Sequence, residues 1–281
     1  VPVYAAGLAL LIGVALFGEI RNGARRWLNL GFTTIQPSEI MKLVMPMMVS
    51  SFLAATVLPP RFLHVCITLA IVLVPTALVL VQPDLGTAAL IAAAGFIVLF
   101  LAGLSWRYVI AVVVAVATAA PVMWQFVLYD YQKRRVLTLL DPESDKLGAG
   151  WNIIQSTTAI GSGGVAGKGW LLGTQSHLDF LPEGHTDFII AVLAEEWGFV
   201  GVGTVLLLYA AYLANVAAVA MRAQDRAGIL LVVGLGSTFA FPVLYHSAMV
   251  IGLVPVTGIP LPFLSYGGSF TLLNFIGLGL I

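Results

Sequence analysis

The sequence predicts an all-α integral membrane protein, a polytopic bundle of apolar helices with one long folded extracellular loop. Of the 281 residues, 60% are hydrophobic and only 9% are charged, and the mean hydropathy is +1.01. Soluble domains carry about 25% charged residues. Apolar runs of about 20 residues, the length that crosses a hydrocarbon core of about 30 Å, recur along the chain. The net charge is zero, so nothing in the composition indicates nucleic acid as a partner.

Eight apolar runs are predicted to span the membrane, separated by prolines, arginines and short polar stretches. The first run begins at Val1 and the last reaches Ile281. We therefore expect a single transmembrane domain, 1–281, that is truncated at both ends. The predicted spans are 1–18, 37–58, 62–81, 86–104, 107–129, 187–220, 227–250 and 269–281.

The longest polar stretch, 130–186, is predicted to be a folded extracytoplasmic loop. Twelve charged side chains lie between positions 130 and 187. Loops longer than about 15 residues are usually functional or disordered, and Trp151, Trp170 and Phe180 make this one too apolar for disorder. Alternation of the spans places it on the same side as 19–36, 82–85 and 251–268.

Three arginines on that side, Arg21, Arg25 and Arg26, oppose the rule that basic short loops face the cytoplasm. Trp27 follows them, and tryptophan is typical of the membrane interface. We interpret this group as binding membrane headgroups or an anionic lipid substrate outside the cell.

The stretch IGSGGVAGKGW looks like a phosphate loop but fails the Walker pattern, because Ser162 replaces a glycine and Gly169 follows Lys168. Two interpretations remain open. One is a turn-rich loop; the other is a backbone that lets a phosphate or sugar approach closely beside Lys168.

Several ionisable groups at span ends have structural as well as functional explanations. Glu39 lies in a predicted first helical turn, where Lys42 can pair with it. Asp84 follows a proline and is expected to cap a helix rather than to catalyse. Glu195 and Glu196 lie inside an apolar run, which makes them functional candidates by default, although a structural role stays open.

The segment 252–269 contains three prolines and is predicted to be irregular at membrane depth, where it would line a polar cavity. His246 precedes it and is interpreted as a packed polar group. No His, Cys and Asp spacing is typical of a zinc site.

Six blocks of the chain resemble the SEDS family (shape, elongation, division, sporulation). The match runs nearly end to end and favours the elongation branch, because Ile259 is hydrophobic where the division branch usually has a basic residue. His246 departs from the asparagine expected there. The blocks are GARRW, QPSEIMK, QPDLGT, YQKRRVLTLLDPESDKLGAGWNIIQS, AIGSGGVAGKGWLLGTQSHLDFLPEGHTDF and VPVTGIPLPFLSYGGS.

This resemblance implies a ten-helix fold, of which the chain would lack the first two helices. It also implies a peptidoglycan glycosyltransferase that polymerises lipid II into β-1,4-linked glycan strands during cell elongation. The active site would lie on the extracytoplasmic face of the bacterial inner membrane, and the partner would be a class B penicillin-binding protein. The essential aspartate of the family matches Asp187, and a second acid matches Asp179.

The chemistry of that reaction agrees with the residues. A sugar hydroxyl is a poor nucleophile and needs a base, for which Asp187 is the candidate. The pyrophosphate leaving group needs cations or a metal. Asp179 is expected to hold a divalent cation, Mg²⁺ or Mn²⁺, or to orient the loop. The predicted substrate-binding residues are Arg25, Arg26, Trp27, Lys42, Lys168, Asp179 and His185.

Two other function classes remain open from the residues themselves. A lipid II flippase would also use a polar cavity and broken helices, and it would tolerate the loss of Asp187 if cations carry the substrate. A non-catalytic membrane scaffold for a cell-wall synthase would tolerate the loss of every carboxylate. The clustering of acids and bases in one exterior loop counts against the scaffold.

Overall fold

The structure is a computed structural model that describes residues 1–21, 24–29, 34–127, 130–145, 148–177, 180–181 and 183–281. These ranges are mainly helical, which confirms the all-α prediction. The helices are α1 (Pro2–Phe17), α2 (Pro37–Ala54), α3 (Phe62–Val81), α4 (Leu85–Leu101), α5 (Trp106–Val122), α6 (Asp130–Leu140), α7 (Ala149–Gly163), α8 (Thr174–His177), α9 (Ile189–Arg222), α10 (Arg226–Val250) and α11 (Gly268–Leu280).

Each of the eight predicted spans coincides with a helix. Among the described residues, α3, α9 and α10 are long and apolar enough to cross a membrane by length and composition, and α1, α4, α5 and α11 are shorter apolar helices. The predicted span 107–129 differs at its end: α5 ends at Val122 and continues as a π-helix over Met123–Val127. Pro121 lies inside α5, and a proline removes a backbone donor from the helix.

A small antiparallel sheet precedes α2, and the sequence analysis did not predict it. Its strands are β1 (Glu19–Arg21), β2 (Ala24–Asn29) and β3 (Thr34–Ile35), in the order β1-β2-β3. These strands are short and rich in charge, so they lack the alternation of apolar residues that identifies a strand in a sequence.

The helices form two compact units. The first unit comprises 1–105, 211–242 and 267–281. Its buried side chains include Leu11, Met41, Met45, Leu99 and Leu235.

The second unit comprises 106–210 and 243–266. The long polar loop folds within it as α6, a 3-10 turn, α7 and α8. Ser156 of α7 donates a hydrogen bond to the backbone carbonyl of Val250 at 2.7 Å. An apolar cluster lies among the described residues of this unit. Its buried members are Ala159, Leu181, Phe188, Ile190, Ala191, Val243, Met249, Val250 and Leu261.

Candidate functional site

Asp187 lies in a turn, Glu183 to Phe188, that directly precedes α9. The backbone amides of Thr186, Asp187 and Phe188 lie 3.1, 3.0 and 3.2 Å from the Glu183 carbonyl oxygen. Phe188 is 1% exposed in the apolar cluster of the second unit. A buried aromatic side chain therefore anchors the turn immediately after Asp187, whose own side chain is half-buried.

The irregular segment 255–266, which is distant in the sequence, is hydrogen-bonded to this turn. Ser265 Oγ donates to the Thr186 carbonyl at 2.7 Å and accepts from the Leu261 amide at 2.8 Å. The Tyr266 amide donates to the His185 carbonyl at 3.0 Å. The two residues that precede Asp187 are thus both hydrogen-bonded to the segment, which restricts the position of the carboxylate.

Side chains of α9 and α10 hold the segment itself through three of its carbonyl groups. Tyr245 Oη donates to Pro255 at 2.9 Å, and Tyr209 Oη donates to Pro262. His246 Nδ1 lies 3.0 Å from the Ile259 carbonyl, so this nitrogen carries the proton. The predictions of an irregular segment and of a packed His246, which is 0% exposed, are confirmed.

The Asp187 carboxylate faces the backbone of Gly258. A Cβ atom built on Gly258 would lie 3.5 Å from Asp187 Oδ2 and 3.8 Å from Oδ1. Gly258 is exposed, whereas its neighbours Thr257 and Ile259 are buried. The segment therefore places an open backbone position directly beside the carboxylate.

Lys168 forms an ion pair with Glu195, at 2.7 Å between Nζ and Oε1. The Glu195 side chain is 0% exposed, and it also accepts hydrogen bonds from the backbone amides of Thr174 at 2.8 Å and Gln175 at 3.0 Å. The structural interpretation of Glu195 is confirmed. Because Lys168 is engaged in this pair, a contact of its ammonium with phosphate stays a prediction.

The glycines of the IGSGGVAGKGW stretch bring the loop against the backbone of α9. A Cβ on Gly163 would lie 1.9 Å from the Ala194 carbonyl oxygen, and one on Gly167 would lie 2.1 Å from that of Glu196. The Lys168 amide donates to the Glu195 carbonyl at 2.9 Å. The predicted turns are present from Gly164 to Trp170, whereas the residues up to Gly163 belong to α7. Gly163 and Gly167 are closed to a ligand by α9, but Gly164 is exposed, so a close approach of phosphate or sugar beside Lys168 stays a prediction.

The helix α9 is also not the single regular run that the sequence predicted. Gly198 has φ 64° and ψ −163°, which breaks the helical geometry. The amides that follow the break, those of Phe199 and Val200, donate to the carbonyls of Gly164 and Val165 at 2.9 and 3.1 Å. The kink leaves these two amides without acceptors inside the helix, and carbonyls of the glycine-rich loop accept their hydrogen bonds instead.

In the first unit, Lys42 is buried and pairs with Glu39 of the same helix at 2.6 Å. Lys42 Nζ also lies 4.8 Å from the ring centroid of Phe270, within the range of a cation–π contact. Both charged residues line a cavity of about 20 Å³ together with Asn274, a volume that holds about one water molecule. The predicted pairing of Lys42 with Glu39 is confirmed.

The other predicted residues of the first unit lie on β2. Arg26 donates through Nε to the Gln82 carbonyl at 3.1 Å and through Nη2 to that of Pro83, and its Nη1 lies 3.8 Å from Asp84 Oδ2. Asp84 Oδ1 accepts from the Thr87 amide at 3.1 Å, so its predicted role as a helix cap is confirmed. Trp27 is half-buried.

Some of the predicted site residues cannot be placed in contact with others. The backbone of Arg25 belongs to β2, whereas its side chain and the whole of Asp179 lie outside the described residues. His185 is exposed, and its carbonyl accepts the hydrogen bond from the Tyr266 amide. This bond and the one from Ser265 to the Thr186 carbonyl form what we call the latch. Over the described ranges, no group of three or more His, Cys, Asp or Glu side chains is placed to hold a metal ion.

Sequence reasoning assigned no role to Gly258, Ser265 or Tyr266. Ser265 is 79 positions from the Thr186 carbonyl that it binds, and no local pattern encodes a contact over that separation. The only signal in the sequence was the irregular, proline-rich composition of the segment. This composition indicated that the segment lines a cavity but not which residues it contacts.

Comparison with known proteins relates this arrangement to a family. The chain matches the model of the FtsW/RodA/SpoVE cell cycle proteins over residues 1–281. The chain belongs to this family. The peptidoglycan glycosyltransferase MrdB of Escherichia coli K12 is 50% identical over 279 residues, which cover 99% of this chain and 75% of that protein. The peptidoglycan glycosyltransferase RodA of Treponema pallidum is 32% identical and covers 99% of this chain and 81% of its own length.

Solved structures of the FtsW/RodA/SpoVE family share the fold. A peptidoglycan synthase complex that coordinates polymerisation and crosslinking has a TM-score of 0.85 at 34% identity, over 99% of this chain and 78% of that one. The rod-shape-determining protein RodA of Thermus thermophilus has a TM-score of 0.71 at 31% identity, over 99% and 75%. The expected family, the multi-pass membrane architecture and the glycosyltransferase class are thereby confirmed.

Proposed function

We propose that this chain polymerises lipid II into β-1,4-linked glycan strands, with Asp187 as the general base. The observation that carries the proposal is the latched turn: a half-buried carboxylate whose two preceding residues are both hydrogen-bonded to the segment 255–266. A general base must be held within hydrogen-bond reach of the proton that it removes, and such positioning supplies much of the catalytic effect in group transfer.

The step is a displacement at the anomeric carbon of the lipid-linked donor. Asp187 accepts the proton of the acceptor hydroxyl, and the hydroxyl oxygen forms the new bond to the anomeric carbon. The bond from that carbon to the pyrophosphate oxygen breaks, and the pyrophosphate leaves with the electron pair. Attack on the face opposite the leaving group converts the α-linked donor into a β-linked product.

The leaving pyrophosphate requires positive charge. Arg25, Arg26, Lys42 and Lys168 stay candidates for this contact. Trp27 and His185 stay candidates for other parts of the substrate. A divalent cation would supply the same charge. The described side chains do not form a protein ligand set for it, so a bound cation would take most of its ligands from the pyrophosphate and water, and Asp179 stays a candidate ligand.

The site is proposed to lie on the extracytoplasmic face of the bacterial inner membrane, where a lipid-linked sugar presents its head group. A class B penicillin-binding protein is the proposed partner, because one solved relative is part of a complex that coordinates polymerisation with crosslinking. The partner would crosslink the strands that this chain makes.

The test is polymerisation of labelled lipid II by the full-length protein with its penicillin-binding partner, whose transpeptidase is blocked by a β-lactam. Asp187→Asn keeps the shape of the side chain and removes its basicity, so we expect glycan ladders to disappear while folding and partner binding persist. Asp225→Asn is the matched control, because Asp225 caps α10 through the Gly228 amide at 3.1 Å and asparagine also caps helices. Ladders from Asp187→Asn close to those of the wild type would remove Asp187 from the chemistry.

The two alternatives predict other outcomes of the same experiment. A flippase would give no ladder with either protein and would move labelled lipid II across sealed vesicles. A scaffold would support synthesis by its partner even with Asp187→Asn.

A further inference from the structure

We infer that Gly258 determines access to the base: the space left by its missing side chain is the path by which the acceptor hydroxyl reaches the Asp187 carboxylate. This inference deepens the proposed function and rests on it. It assigns part of the acceptor site to the backbone at 258 rather than to a charged or polar side chain.

The conformation of the backbone does not explain a glycine at this position. Six glycines of the described chain have φ between +20° and +160°, and Gly258 is not among them. Any L-residue can therefore adopt the backbone at 258 without the strain of the left-handed region. If a glycine is required at 258, the reason is therefore the space that its missing side chain leaves.

Close packing of the fold does not explain it either. Among the described residues, and apart from the chain neighbours of Gly258, the atoms within 4 Å of a Cβ built on it are the two carboxylate oxygens of Asp187. At Gly163, by contrast, the same construction meets backbone atoms of Ala194 at 1.9 and 2.8 Å. The described packing around Gly258 has room for a methyl group, and the group that this methyl would approach there is the proposed base.

A methyl at that position would occupy the face of the carboxylate that the reaction uses. A hydroxyl that transfers its proton must bring its oxygen within about 2.5–3.0 Å of a carboxylate oxygen. The Cβ would lie at 3.5 and 3.8 Å from Oδ2 and Oδ1, in ordinary van der Waals contact with both. Such a carbon leaves Asp187 in place but excludes an incoming oxygen from the same side.

The segment cannot move aside to restore the access. Thr257 and Ile259 on either side are 8% and 0% exposed, and the Ile259 carbonyl is bound by His246 at 3.0 Å. Ser265 holds the other end of the segment to the turn of Asp187 at 2.7 Å. Because both the segment and the turn are held, a side chain added at 258 stays beside the carboxylate.

The experiment compares Gly258→Ala and Gly258→Val with the wild type in the lipid II polymerisation assay, using the full-length protein with its partner. We expect Gly258→Ala to lower the initial rate about 10-fold or more, since small displacements of reacting groups have effects up to about 100-fold. Gly258→Val should lower it further. The melting temperature and partner co-purification of Gly258→Ala should match those of the wild type, because its methyl makes only ordinary contacts.

Gly161→Ala is the control for the substitution itself, since a Cβ at this position of α7 meets no atom of the described residues within 4 Å. It should polymerise at the wild-type rate. A Gly258→Ala rate within twofold of the wild type would overturn the inference, and so would a loss of rate that parallels a fall in melting temperature. Asp187→Asn separates the two proposals: if it is inactive while Gly258→Ala is fully active, the base assignment stands and the access role of Gly258 fails. If Asp187→Asn is active, the proposed function fails first.

Discussion

Lys168 Nζ lies 2.7 Å from Glu195 Oε1, and the Glu195 side chain is completely buried. The same carboxylate receives the amides of Thr174 and Gln175. One acidic group near the start of α9 therefore binds both ends of the loop from 168 to 175. This loop is joined to the helix that begins two residues after Asp187, so the ion pair contributes to the position of the proposed base through the backbone of α9.

Removal of the buried carboxylate should destabilise the second unit. Glu195→Ala leaves Lys168 and two amides without their acceptor, and breaking a buried pair costs about 3–5 kcal/mol. Lys168→Ala should have a smaller effect, because Thr174 and Gln175 still donate to Glu195. The measurement is the melting temperature in detergent, with exposed Arg134→Ala on α6 as the control. Equal melting temperatures for Glu195→Ala and the control would contradict the structural role.

The kink of α9 should not tolerate a side chain. In Gly198→Ala the added Cβ would lie 2.4 Å from the Gly167 amide nitrogen and 2.5 Å from the Val165 carbonyl oxygen, at a residue with φ 64°. Left-handed strain costs about 1–3 kcal/mol, and the two clashes add to it. We expect little folded protein by size-exclusion chromatography.

Gly203→Ala is the matched control for the kink, on the same helix with nothing within 4 Å of the new Cβ. It should leave the protein as stable as the wild type or raise its stability by up to about 1 kcal/mol, because alanine has the higher helix propensity. A well-folded Gly198→Ala would show that the loop and α9 are not packed as closely as their distances indicate.

Removal of the Ser265 hydroxyl from the latch should lower the rate of lipid II polymerisation. Ser265→Ala removes the bond to the Thr186 carbonyl and leaves the buried Leu261 amide without an acceptor, which costs about 1–3 kcal/mol. Looser positioning of Asp187 should lower polymerisation about 10-fold. In Ser247→Ala the lost hydroxyl binds only the Val243 carbonyl of its own helix, so this control should keep the wild-type rate. Equal rates for the two variants would argue against the latch.

Lys42 can act on the substrate or only as the partner of Glu39, and a double variant distinguishes these roles. Lys42→Met leaves a buried carboxylate unpaired and should destabilise the protein by about 3–5 kcal/mol. Adding Glu39→Gln removes that charge and should restore much of the melting temperature. If polymerisation returns with stability, Lys42 is structural. If the stable double variant stays inactive, the predicted phosphate contact gains support.

His246 should be replaceable by asparagine, the residue that the family resemblance implies at this position. His246→Asn retains a side-chain N–H that can reach the Ile259 carbonyl, now bound at 3.0 Å. His246→Leu leaves this carbonyl unsatisfied in a buried position, which costs about 1–3 kcal/mol. Polymerisation rates should therefore be near wild type for asparagine and clearly reduced for leucine. The same rate for both variants would show that the hydrogen bond is not needed.

Most of the helical architecture could be predicted from the sequence, because each span is a local property. A run such as Phe62–Val81 has to satisfy its backbone donors inside the bilayer whatever its neighbours are, and α3 has these bounds. The short-range pairs could be predicted because their members lie within one helical turn. These pairs are Glu39 with Lys42 and Asp84 with the amide of Thr87. The proposal that Asp187 is the base came from the family resemblance rather than from any spacing.

The tertiary structure alone decided which groups those residues meet. Lys168 looked available for phosphate, yet it is paired with Glu195, 27 positions away. Two glycines of its loop, Gly163 and Gly167, looked open to a ligand, yet backbone atoms of α9 fill the space beside them. Ser265 and Gly258 carried no signal, because their partners, Thr186 and Asp187, are reached only through long-range packing. Hydrophobic runs are encoded residue by residue, so the sequence predicts the helices. Contacts between distant segments depend on how the helices and loops of the second unit pack around their core, so the sequence alone does not predict them.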